Sequence, residues 1–367
     1  MRLTNYWWLL IWLFGAGGFL YYFFPRQRVN SYGGEEDRWQ LLPAILISVP
    51  YVVWAAYRTW FGDTELYRNL FIEAPNSILK LREYVEASTK DQGYSAFMVL
   101  FKSILGNSDI LFFFIIALFQ MACVVWFFRK YSCNYWISFF LFIVSTDYMS
   151  WMFNGMRQFI ATGLVLIATD FLIRRKYKAM VGIILLAATF HGSALIMLPI
   201  MFIVQGKAWN RKTLAFMFLS MLAILYVDRF TPLLNEALLE TQYSDMMTNE
   251  IWTQDDGTNM LRVLVYSVPA ILSLLGIPYL KSHNNRVIDI CVNCSIVTMM
   301  IYLLSSVTSG IYIGRLPIYT TLQGYIIVPW LIQTMFKQES ARMVNLFMMG
   351  AYLAFFYFQM HIGWGVL

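Results

Sequence analysis

From Tyr135 to Ile173 the chain is almost unbroken Phe, Ile, Leu, Val, Met and Trp, and runs of this character recur along its 367 residues. In hydrocarbon, backbone N–H and C=O groups must be satisfied within the spanning structure itself, which leaves the α-helix or the closed barrel. Runs of about 20 apolar residues favour the helix, because at 1.5 Å per residue they cross the ~30 Å hydrocarbon layer. With 59% hydrophobic and 13% charged residues, the chain carries more apolar surface than one water-soluble core can hide. The sequence predicts an all-α, polytopic integral membrane protein of about 11–12 transmembrane or membrane-embedded helices, one membrane domain over 1–367.

Apolar patterning places the spans at 3–24, 41–57, 108–128, 134–150, 157–173, 179–205, 213–228, 260–280, 287–308, 317–336 and 343–360. The first reads as a span and not a cleaved signal: its apolar run is too long for such a signal and no small-residue cleavage site follows. Six short loops (25–39, 129–134, 174–178, 205–212, 281–286 and 337–342) hold 16 of the 27 Lys and Arg, which assigns them to the cytoplasmic side. That assignment requires 179–205 to leave and return to one side as a re-entrant or broken hairpin, interrupted near FHGSAL (190–195), with legs of about 11 and 14 residues. The extracytoplasmic segments are then chiefly 58–107 and 228–259, the second with seven acids and one Arg. Within the first, GYSAFMVLFKSILG (93–106) is too short to span and reads as an interfacial helix.

Composition also excludes several classes. The net charge of +6 is no nucleic-acid signal, because the basic residues sit in short loops between spans. Four cysteines in or beside apolar segments read as small helix residues. No His/Cys/carboxylate cluster has metal-ligand spacing, and neither a Walker loop nor a dinucleotide glycine fingerprint is present, so neither metal nor cofactor is expected. Any energy for a reaction then arrives with the substrate.

Polar residues on the outward side carry the chemistry. RTWFGDTELY (58–67) puts Arg58 five residues before Asp63 in a Gly-Asp-Thr turn; the plainer reading is a capped helix start. FNGMRQFIAT (153–162) places Arg157 and Gln158 at the outer end of a span, where a forked guanidinium meets lipid phosphate; a snorkelling interface arginine or an internal pair with Asp147 is the alternative. SGIYIGRLPIY (309–319) offers Arg315 in the same way. His191 falls at the hairpin break, where an imidazole can take a proton from a hydroxyl or merely brace the turn.

Taken in order, RxxxGDTxxY, GMRQFIA, FHGSAL and the late outward GR resemble the EpsG/Wzy-type bacterial polysaccharide polymerases over roughly residues 1–330. The resemblance implies a cytoplasmic-membrane glycosyltransferase, its active site facing the exterior, that joins undecaprenyl-pyrophosphate-linked repeat units into O-antigen, capsule or exopolysaccharide. It implies the lipid-linked oligosaccharide as partner, membrane lipid around it, and a chain-length regulator as a further candidate. It points at His191 and Asp63 as alternative bases and at Arg157, Arg315, Arg58 and Gln158 for pyrophosphate and glycan binding, Arg58 also orienting Asp63. Three rivals stand beside it. An O-antigen ligase shares the donor and differs in acceptor. A flippase should carry polar residues through both leaflets, yet Asp170 and Asp289, the acids near inner span ends, each have an arginine three or four residues away. A membrane acyltransferase leaves the arginines unexplained.

Overall fold

In the computed structural model, the long helices form where the apolar runs lie, and the side chains of Ser108, Asn134, Asn210, Asn259 and Asn285 cap the starts of five of them. Residues 7–24, 26–31, 34–227, 229, 236 and 257–365 are described; the expected outward loop 228–259 lies mostly outside them. The chain divides into two compact units, Met1–Leu195 with Phe336–Leu367, and Ile196–Met335.

The first unit begins with α1 (Trp7–Phe23), an antiparallel hairpin of β1 (Gln27–Ser31) and β2 (Gly34–Arg38), and α2 (Leu41–Ala56). The hairpin occupies the basic loop 25–39. Tyr51 donates to the Leu9 carbonyl at 2.7 Å and Trp12 to that of Ile47 at 3.0 Å, fixing α1 on α2. The segment 58–107 folds into α3 (Thr64–Glu73), a 3₁₀ turn (Ile78–Lys80), α4 (Leu81–Ala87) and α5 (Gln92–Leu105). The α5 helix is the one expected to lie at the interface. Its buried Lys102 donates to the carbonyls of Phe71 (2.9 Å), Ile72 (2.6 Å) and Ala74 (2.5 Å), satisfying the orphan C-terminal acceptors of α3.

Two spans follow, α6 (Asp109–Tyr131) and the run expected as 134–150. The latter breaks into α7 (Tyr135–Val144) and α8 (Asp147–Met152), with Thr146 left-handed between them (φ 69°). Then come α9 (Met156–Ile173) and α10 (Tyr177–Phe190), which pack on each other. A 3₁₀ turn (Gly192–Ile196) interrupts the helix where FHGSAL predicts a break, so the first leg has 14 residues and the second, α11 (Met197–Ile203), has 7. At one end of this unit Lys130 and Tyr131 of α6 bond Asp170 of α9, which also takes Arg174 at 3.0 Å. The opposite end holds the N-terminus of α9 and the C-terminus of α10. An aromatic core of Tyr67, Phe71, Tyr94, Phe112 and Met156 packs α3 and α5 against α6 and α9.

The second unit contains α11, α12 (Arg211–Leu225), α13 (Met260–Leu275), α14 (Ile277–Ser282), α15 (Arg286–Ser305) and α16 (Ile318–Met335). Asn293 on α15 donates to the carbonyls of Val204 and Lys207, both at 3.0 Å, and accepts from Trp209 N–H at 3.0 Å, which docks the 204–210 loop. Finally α17 (Gln338–Phe358) returns to the first unit, where it packs on α7. By length and composition α6, α9, α15 and Gln338–Gly363 are each able to cross a membrane, and six shorter apolar helices accompany them among the described residues. The all-α polytopic architecture stands.

Candidate functional site

Arg157 occupies the first turn of α9, where the helix dipole is unfavourable to a cation, so it requires an anion close by. That anion is Asp91: Arg157 Nη1 lies 2.8 Å from Asp91 Oδ2. Arg157 also bonds the Tyr67 hydroxyl, and its guanidinium lies 5.7 and 5.8 Å from the ring centroids of Tyr67 and Tyr94. Asp147, weighed from the sequence as its partner, instead accepts from Trp151 Nε1 at 3.1 Å.

Asp91 does not cap α5 with its side chain, although it stands at the N-cap position. Its backbone is left-handed (φ 52°, ψ 48°), a conformation that Asp tolerates better than most residues, and its side chain is only 5% exposed. The second carboxylate oxygen, Oδ1, accepts the Gly192 backbone N–H at 3.3 Å. One carboxylate thus ties the start of α9 to the break after α10. Burial pushes the Asp91 pKa up, against the opposing pull of Arg157 and of the Gly192 N–H.

His191 lies at that break with extended backbone (φ −157°, ψ 113°) and is half-buried. Its Nδ1 is 2.8 Å from Ser193 Oγ, and Gln158 Nε2 reaches the same hydroxyl at 3.5 Å. The structure therefore brings Arg157, Gln158 and His191 into one network through Asp91 and Ser193. Close packing of the elements allows this. A Cβ on Gly93 of α5 would lie 2.7 Å from Thr189 Cβ near the end of α10.

The remaining predicted residues lie in other settings. Asp63 is the N-cap residue of α3, half-buried, one turn before Tyr67. Gly62 before it is left-handed (φ +56°), and a Cβ there would stand 2.8 Å from Asn154 Cβ, so the Gly-Asp-Thr turn rests on the segment that leads into α9. Arg58 is 4% exposed. Its Nη1 donates to the Met152 carbonyl, its Nη2 contacts Met156 Sδ at 2.8 Å, and its guanidinium lies 4.1 Å from the Phe113 ring centroid. Arg315 ends a 3₁₀ turn (Ile313–Arg315) of the second unit and is half-buried. A Cβ on neighbouring Gly314 would collide with Thr258, which packs this turn onto the segment before α13.

The chain matches the EpsG family over residues 41–363. It belongs to that family. No curated protein and no solved structure matches it. EpsG proteins are Wzy-type polysaccharide polymerases, so membership gives this multi-pass membrane protein a polysaccharide polymerase role. The matched region of this EpsG family member takes in the Gly-Asp-Thr turn, Arg157, the His191 break and Arg315, the motifs on which the resemblance rested. Sequence reading missed Asp91, because DQG before a short helix reads as an ordinary cap and nothing in the spacing links it to a residue 66 positions on. Ser193 was visible only as part of the turn. Among the described residues no group of three or more His, Cys, Asp or Glu has the geometry to hold a metal ion.

Proposed function

We propose that this EpsG family member is a membrane glycosyltransferase that polymerises undecaprenyl-pyrophosphate-linked oligosaccharide repeat units at the extracytoplasmic face of a bacterial cytoplasmic membrane. The observation that carries this reading is the Arg157–Asp91–Gly192 bridge, which holds a forked cation and the His191 turn on a single carboxylate. In the tautomer whose Nδ1–H donates to Ser193 Oγ, the lone pair of His191 lies on Nε2. That nitrogen accepts the proton of the acceptor sugar hydroxyl as its oxygen attacks the anomeric carbon of the donor. The bond from that carbon to the pyrophosphate oxygen breaks, and the lipid pyrophosphate leaves with the electron pair. Arg157 stabilises the charge that develops on it, and Gln158 positions glycan hydroxyls. Arg315 is a second cation proposed for pyrophosphate, tested on its own by substitution.

A lipid-linked repeat unit supplied to the purified protein in lipid should yield a ladder of products; a single addition to lipid A core would mark a ligase, and no covalent product a transporter. His191→Ala should leave the protein folded and lower the rate by roughly 10²- to 10⁴-fold, the usual worth of general base catalysis. His191→Gln should be equally poor, since an amide bonds but takes no proton. Activity retained in the Gln variant would reduce His191 to a brace and pass the base role to Asp63.

A further inference from the structure

A groove of about 900 Å³ runs along α1 and α2 to the start of α6. Its walls are apolar and largely aromatic, including Trp8, Trp12, Val49, Val53, Trp54 and Tyr57. One end is polar, formed by Arg58, Thr59, Arg68 and Asp109. There Arg68 and Asp109 neutralise each other at 2.7 Å, and Arg68 also donates to the carbonyls of Thr59 (3.3 Å) and Arg58 (3.2 Å). Arg58 differs. Among the described residues no carboxylate pairs with it, its Nε has no hydrogen-bond partner, and burial pulls its pKa down to about 10. A buried cation without an anion is costly, and this one lines the end of a hydrocarbon-shaped groove.

We propose that the groove seats the hydrocarbon chain of the lipid carrier of the donor, with the carrier's phosphate supplying the anion that Arg58 lacks; this rests on the polymerase reading above. Continuity with the Arg157 network favours the carrier over a bulk phospholipid. Arg58 Nη2 contacts Met156, the residue before Arg157, and Tyr67, which bonds Arg157, directly precedes the groove residue Arg68. Arg157 in turn lies 5.8 Å from the Tyr94 ring centroid. An amphiphile with its phosphate at Arg58 therefore has its headgroup next to Met156, at the start of α9 where Arg157 stands.

The test uses the full chain in phosphatidylcholine nanodiscs and a diazirine-tagged polyprenyl diphosphate, with labelled peptides read by mass spectrometry. Label should concentrate on peptides holding Trp8–Trp12 and Val49–Tyr57, and excess untagged polyprenyl diphosphate should reduce it at least tenfold. Val53→Trp, which fills the groove, should reduce labelling and polymerisation together while the thermal melt is unchanged; Arg58→Gln should weaken labelling in the same direction. Because Arg58→Gln can fail to fold, Val53→Trp carries the decision. Label spread evenly over lipid-facing helices, competition by phosphatidylglycerol as strong as by polyprenyl diphosphate, or full polymerisation by Val53→Trp would each overturn the proposal. Competed groove labelling without any polymer from wild type would uphold the groove and sink the polymerase reading instead.

Discussion

At the scale of single residues, Asp91 decides how Arg157 and the His191 turn are held. Its folded pKa lies above the 3.8 of an ordinary aspartate, because burial outweighs its cationic and N–H partners. Between the two values the folded chain binds more protons than the unfolded one, so this group makes stability fall as pH rises through that window and gain as pH drops. Acidification should therefore remove the anion from Arg157 without Asp91 itself unfolding the protein. We expect the acid side of the polymerisation profile to hold a contribution from Asp91 beside that of the His191 base, and Asp91→Asn to change that side of the profile while losing about 100-fold at neutral pH through misplacement of Arg157 and the turn. Rates and melting points measured across pH on both proteins check this; an unchanged acid limb in the variant would assign it to another group. Arg157→Lys tests the forked cation, with an expected loss of about 1.5–3 kcal/mol in transition-state stabilisation, because one ammonium cannot hold Asp91, Tyr67 and a phosphate in the same plane. Arg157, Gln158 and His191 were legible because polar residues inside apolar runs stand out. Asp91 was not, since a polar residue in a polar loop carries no such contrast.

Among the secondary-structure elements, apolar length located the long helices, and Gly-Ser chemistry located the interruption after α10. Patterning was silent about the break at Thr146, where Ser-Thr-Asp sits inside an otherwise unbroken apolar run and only backbone geometry reveals two helices. It was equally silent about how 58–107 folds, because α3 and α4 are short and rich in polar residues; what fixes the end of α3 is Lys102, bonded to three carbonyls there. Contact between α5 and α10 in turn depends on Gly93. Gly93→Ala places a methyl 2.7 Å from Thr189 Cβ, so the helices must separate or Thr189 must move. Overpacking of this kind costs about 1–3 kcal/mol. The expected outcome is a lower melting temperature and a drop in polymerisation larger than the stability loss explains, since Asp91 would be carried away from Gly192. Recovery of both by Thr189→Ala in the double variant would locate the effect at this contact; no recovery would place it elsewhere.

For the whole molecule, the distribution of charge sets orientation, and the first unit gives that argument a structural form. The basic residues Lys130 and Arg174 gather on Asp170 at one end of α6 and α9, while Asp91, Arg157 and His191 gather at the other. Between them α9 runs 18 residues, about 27 Å at 1.5 Å per residue, close to the ~30 Å hydrocarbon thickness. From the positive-inside preference we expect the Asp170 end in the cytoplasm and the Asp91 end outside. Thr89, two residues before Asp91, and Lys176, in the loop after α9, are both exposed and report on opposite ends. In cells with a permeabilised outer barrier and an intact cytoplasmic membrane, Thr89→Cys should react with an impermeant maleimide, and Lys176→Cys should react only after the membrane is dissolved. Native cysteines give little background, because Cys123, Cys291 and Cys294 are buried and Cys133 is half-buried. The proposed orientation matters chemically: if the Asp91 end faces outward, a polymer built there emerges already outside, and a lipid-linked donor made inside would need a separate translocation step to reach it. The reverse labelling pattern would move the Arg157 network to the cytoplasmic face, and the extracytoplasmic reaction would have to be abandoned even if every variant of the network still abolished polymer.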